Sequence, residues 1–215
     1  MPDFTNLTDP ADFADAAQRT VLPLFPLGQA VFPGVNTKLR IFEQRYLRLV
    51  RESVRNQTPF AMVPIIRGLE VGEAPEFYPW GTLVTITDWD QQQDGLLEIT
   101  ICGDRRVRVY GNQVKDDGLI VAEMDILAMD PQVNSGDEHR DLQQLLEELE
   151  AGLRIKDLFV DQPLDLATLG WRLATLLPLS LKTKMAVLGE ADSYIRLEII
   201  REGIARLVEG LDGGD

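Results

Sequence analysis

The chain's 215 residues allow one large domain or two small ones, and 45% hydrophobic with 26% charged is an ordinary globular make-up. A formal net charge of −14 argues against nucleic acid, which needs clustered Lys and Arg, and the single cysteine excludes an intramolecular disulfide. No apolar run reaches the roughly 18 residues of a membrane helix, and the acidic start has no signal-peptide pattern, so a cytoplasmic protein without membrane contact is expected.

Residues 1–20 hold two prolines and four aspartates without periodicity and read as a flexible arm, within which ADFADAAQ could make one helical turn. VLPLFPL (21–27) is short, apolar and broken by Pro23 and Pro26, which suits an edge or bulged strand. Pro33-Gly34 marks a tight turn before an extended run with Val35, Leu39 and Ile41 on one parity. EQRYLRLVRESVRNQ (43–57) has helical spacing: Tyr46, Leu47, Val50 and Val54 recur at steps of three and four, with arginines on the other faces.

FAMVPII (60–66) reads as a buried strand, and RGLEVGEAPEFYPWG as a long loop carrying Phe77, Tyr78 and Trp80. In GTLVTITDWD, Leu83, Thr85, Thr87 and Trp89 face one way, and Asp94-Gly95 signals a hairpin into LLEITICGDRRVRVYG. Gly103 is expected to interrupt that strand, and Asp117-Gly118 to turn the chain into LIVAEMDIL. Residues 21–130 thus form a subdomain of about six strands and one early helix, with turns frequent enough for a closed or nearly closed barrel.

After Pro131 the period changes from two to 3.6. Leu142, Leu145, Leu146, Leu149 and Leu153 make one apolar stripe. Asp165, Ser180 and Asp192 then stand as N-caps of three further helices, so residues 131–215 read as a helical subdomain with a frayed DGGD end.

Chemistry is scarce. One His and one Cys cannot furnish a zinc centre, no acidic loop has calcium-loop spacing, and no P-loop or G-x-S-x-G elbow is present, so no metal, cofactor or catalytic residue is assigned. His139 is read as a solvated surface residue and Cys102 as a small core residue. Ser180 and Lys182 could be drawn as a dyad, which leaves a weak hydrolase as an alternative, but a cap and a solvated lysine explain them. Candidate peptide-binding residues are the loop aromatics Phe77, Tyr78 and Trp80, with Arg106 and Arg108 as a same-face pair on a strand beside Arg105.

The ordered motifs resemble a known family. LPLFPL (Leu22–Leu27), FPG (Phe32–Gly34) and RIFEQRY (Arg40–Tyr46) are similar to the opening of the substrate-recognition domain of Lon-type ATP-dependent proteases. Gly81-Thr82, GDRRVRV (Gly103–Val109), and Lys184, Leu188 and Arg196-Leu197 within the late helices extend the resemblance to residues 21–210. It implies an α+β fold, a PUA-like β pseudo-barrel followed by a C-terminal α-helical bundle, in a module that recognises unfolded polypeptide and helps assemble an oligomer. With no ATPase motif and no room for a protease domain, the chain resembles the stand-alone LON-domain proteins, for which a peptidase label marks ancestry. The expected function is a non-catalytic binding module for unfolded polypeptide or a protein partner, working as an adaptor in proteolysis, with self-association left open. The alternative of an RNA-binding PUA-like module rests on Arg105, Arg106 and Arg108.

Overall fold

The prolines of the first strand settle how the sheet closes. In the computed structural model, which describes residues 19–210 apart from 73, 94, 154 and 156, strand β1 spans Arg19–Leu27. Its first half pairs antiparallel with β7 (Ile120–Ile126) and its second half parallel with β3 (Phe60–Arg67), the two pairings sharing only Leu24. Each half therefore has one unpaired side, where the missing N–H of Pro23 or Pro26 costs no ladder bond. The expected edge strand is in fact the strand that joins the two ends of the sheet.

The remaining strands are β2 (Asn36–Ile41), β4 (Glu76–Phe77), β5 (Trp80–Gln91) and β6 (Leu97–Val114). The ring runs β1–β7–β6–β5–β3 and back to β1, with β4 added to β3 and β2 to the first part of β6. Among the described residues seven strands stand where about six were expected, because the segment read as a loop supplies β4 and the start of β5. The arm at residues 1–18, its helical turn, Asp94 of the hairpin and the terminal DGGD lie outside the described residues.

Strand β6 is not interrupted at Gly103. A Cβ there would stand 2.1 Å from the Phe32 carbonyl oxygen, and the Gly103 backbone exchanges hydrogen bonds with Gly34 and Val35 at 2.9 Å. The glycine is needed for close approach of the Pro33-Gly34 turn, with the strand continuing through it.

Alternation sorts the core into layers. Leu24, Ala61, Val63, Leu83, Val107, Val109, Ala122 and Met124 fill the barrel. On the outer face, helix α1 (Gln44–Asn56) presses Tyr46, Leu49 and Val50 onto Phe25, Phe60, Val84, Ile99 and Ile101. Four helices follow: α2 (Arg140–Leu153), α3 (Leu166–Leu176), α4 (Leu181–Gly189) and α5 (Ser193–Val208). Asp165, Ser180 and Asp192 cap the last three with side-chain oxygens that accept from backbone N–H groups, as their sequence positions predict. The helices do not form a separate core, since Phe32, Val35, Trp80 and Leu127 of the barrel share one cluster with Leu142, Leu169, Trp171, Leu188 and Leu197.

Candidate functional site

The outward face of β6 is where the helices dock, and this decides the fate of the arginines. Arg106 and Arg108 do share a face, opposite Val107 and Val109 in the barrel interior. Arg106 is only 6% exposed, donating to the Asp130 carboxylate at 3.0 Å and to the Glu190 carbonyl at 2.8 Å. Arg196, fully buried on α5, donates to the same two oxygens at 3.1 and 2.9 Å and to Ser193 Oγ at 3.2 Å. Its guanidinium lies 3.7 Å from the centre of the Trp171 ring, which stacks on Phe32 at 5.7 Å. Burial lowers the Arg196 pKa to about 10, against the opposing pull of Asp130, and burial also lowers that of Arg106. Two guanidinium groups share one carboxylate, a junction that locks strand, linker and helix together.

The loop aromatics belong partly to the same junction. Trp80 is 6% exposed, and a Cβ on Gly189 would come within 3.0 Å of its indole Nε1. Arg108, half-buried, lies 5.4 Å from the Trp80 ring and 5.5 Å from Tyr110. Phe77 packs partly buried against the barrel core, and Tyr78 against the helical core. Thus Phe77, Tyr78 and Arg108 keep some accessible surface, whereas Trp80 and Arg106 face inward. Aromatic content pointed to this segment, but only the long-range docking of α4 and α5 reveals which rings are covered.

Two single-residue expectations change. His139 is buried rather than solvated, because α5 lies across the turn at Asp137–His139: its Nδ1 is 3.4 Å from Arg201 Nη2 and its ring 5.8 Å from Tyr194. Cys102 is half-buried beside Gly103, and burial raises its thiol pKa. Ser180 Oγ accepts from Thr183 N at 3.2 Å as the α4 cap, and Lys182 is exposed.

A larger opening of about 780 Å³ lies between the sheet and the helices. One wall is the polar row Lys38, Thr100 and Asp88, registered across β2, β6 and β5; the other is Thr175 of α3 and Lys184 of α4. Lys38 reaches Glu98 at 3.5 Å, but the Lys184 ammonium has no hydrogen-bond or carboxylate partner among the described residues. Burial lowers its pKa, with no counter-charge to offset the cost. A desolvated cation facing an open cleft is an anchor for a carboxylate or a carbonyl row. Sequence reading had Lys184 only as part of the family resemblance; its burial depends on how α4 packs against β5 and the neighbouring helices.

The family model described as the ATP-dependent protease La (LON) substrate-binding domain matches residues 21–206. Among solved structures, the Lon N-terminal domain protein from Xanthomonas campestris is 37% identical over 85% of this chain and 98% of that one, with a TM-score of 0.72. The N-terminal domain of the Mycobacterium avium complex Lon protease has a TM-score of 0.60 over 86% of this chain and 98% of that one; at 15% identity the likeness is one of fold. No curated protein matches the chain.

Proposed function

The chain belongs to the Lon substrate-binding domain family, and on that premise we propose that it is a non-catalytic module holding extended polypeptide in the cleft between barrel and helices. The reading is carried by one observation, the unpartnered and half-buried Lys184 facing the polar row Lys38, Thr100 and Asp88. An unfolded segment brings unpaired carbonyls and occasional carboxylates, which suit a cationic anchor beside a polar strand face. The module works as an adaptor, presenting the held segment to a separate protease, because no catalytic set is assigned in it. Arg106 and Trp80 act through position, setting the separation of the cleft walls. Phe77, Tyr78 and Arg108 do not line the cleft and form a second contact patch for a longer segment.

The test is binding of a fluorescently labelled, permanently unfolded casein. Lys184→Gln is expected to weaken it about tenfold, the worth of roughly one charge-assisted hydrogen bond, with an unchanged circular dichroism spectrum. A Phe77→Ala, Arg108→Ala variant in the same assay reports the second patch. Casein affinity that is the same in the wild type and Lys184→Gln overturns the cleft as the site, and no affinity in either overturns the polypeptide-binding reading.

A further inference from the structure

Two strands stand outside the closed ring, β2 and the two-residue β4. Strand β2 pairs with β6 along its whole length, in an unbroken register from Asn36↔Cys102 to Ile41↔Leu97. Its other edge borders the cleft, whose lining includes Asn36, Thr37, Lys38, Asp157 and Leu158.

The hydrogen bonds at the start of β2 fix which backbone groups face that edge. The Val35 carbonyl accepts from the Gly103 N–H at 2.9 Å and so faces β6, whereas the Asn36 N–H donates to the Leu158 carbonyl at 2.7 Å and so faces away. Successive residues of a paired strand alternate in this respect. Thr37, Leu39 and Ile41 therefore bond to β6, and Lys38 and Arg40 turn their N–H and C=O groups outward. Neither has a backbone partner on that side among the described residues, and both side chains are exposed.

The first part of the edge already accepts a strand. Residues 158–160 lie along it antiparallel: Val35 bridges to Phe159, Val160 N–H donates to the Gly34 carbonyl at 2.9 Å, and Asn36 Nδ2 donates to the Asp157 carbonyl at 2.8 Å. That pairing stops at Asp157, whose φ of 60° is left-handed and incompatible with extended chain. Past this point, Thr37 to Ile41 is an open template of about 17 Å, at roughly 3.4 Å per residue.

An open edge recognises extended backbone and is tolerant of sequence, which suits an unfolded segment. The side chains agree: the lining carries two lysines and two aspartates, Lys38, Lys184, Asp88 and Asp157, so its net charge favours no particular sequence. A second copy of β2 is a poor occupant, because self-pairing would set Lys38 and Arg40 against their own kind. We infer that the polypeptide held in the cleft, on the reading proposed above, binds by adding a strand to the outer edge of β2, exchanging hydrogen bonds with Lys38 and Arg40.

Hydrogen–deuterium exchange read at single residues tests this on the full chain, with and without saturating casein. In the free protein Leu39 and Ile41 should exchange slowly and Lys38 and Arg40 fast. Casein should slow Lys38 and Arg40 about tenfold or more and leave their neighbours unchanged. Arg40→Pro removes an outward N–H and no ladder bond to β6. It should bind labelled casein about tenfold more weakly than Arg40→Ala, which loses the same side chain and keeps the N–H. Equal affinity of these two variants, or casein that binds without slowing Lys38 and Arg40, overturns strand addition and leaves the cleft standing. Absence of any casein affinity overturns the polypeptide-binding reading and this inference together. Slow exchange of Lys38 and Arg40 without casein overturns the inference as well, and if it appears only on concentrating the protein, the occupant is a second copy.

Discussion

Tyr46 shows how burial and charge act on a single side chain. It is 4% exposed, its ring is stacked on Phe25 at 4.0 Å, and its hydroxyl is buried without a hydrogen-bond partner. Burial pushes its pKa up to about 12, Arg45 opposing and Glu43 and Glu70 adding to the rise. The folded pKa is above the unfolded one, so the phenol favours the folded state fully below the unfolded value near 10, and that contribution is lost as pH climbs towards 12. Urea midpoints should therefore fall across that window in the wild type, and less in Tyr46→Phe. At neutral pH the same substitution removes an unpaired buried hydroxyl while keeping the ring, so it should be neutral or stabilise by up to about 1 kcal/mol. A clear loss of stability would mean that the hydroxyl has a partner. The sequence placed Tyr46 on the apolar side of its helix correctly. The missing partner was not legible, because it depends on Phe25 and the loop at Glu70, both distant in the chain.

At the scale of elements, what is local was legible and what is distant was not. The caps Asp165, Ser180 and Asp192 need only their own first turns, and all three helices start where the sequence places them. The parallel pairing of β1 with β3 needs α1 to carry the chain across, and no short-range pattern announces it. Gly103 lies between these cases: a glycine inside an alternating strand reads equally as a break or as a close approach, and only the Phe32 carbonyl decides. Gly103→Ala should thus cost more than about 2 kcal/mol, since a Cβ 2.1 Å from a backbone oxygen forces the turn off the strand. Asp165→Ala should cost only about 1 kcal/mol, the usual worth of a cap. Chemical denaturation of the two variants checks the ranking, and an equal loss would show that the turn can move away from β6. The candidate site followed the same division. Aromatic residues in a loop were visible, but not that Trp80 and Arg106 are covered while Lys184 and Trp89 are left open.

For the molecule as a whole, the change of period near Pro131 divides the chain but not its core. Phe32, Val35, Trp80 and Leu127 lie in one cluster with the helical leucines, so neither half alone covers its apolar surface. The charged centre of that contact is Asp130, 9% exposed in its side chain and facing two guanidinium groups. Replacing the pair of ions and their acceptor by apolar groups could be harmless, but removing the carboxylate alone leaves two buried cations without a counter-charge. Asp130→Asn should accordingly destabilise the fold by about 3–5 kcal/mol in a single cooperative transition, with near- and far-ultraviolet circular dichroism lost together. Because the cleft has one wall on the sheet and the other on α3 and α4, the same variant should also hold unfolded casein more weakly, although Asp130 does not line the cleft. Removing a cation as well should return part of the stability, so Asp130→Asn combined with Arg106→Met is expected to be less destabilised than the two single losses summed. Strict additivity in that cycle would mean that the two side chains do not act as a unit, and that the walls of the cleft are held apart by apolar packing alone.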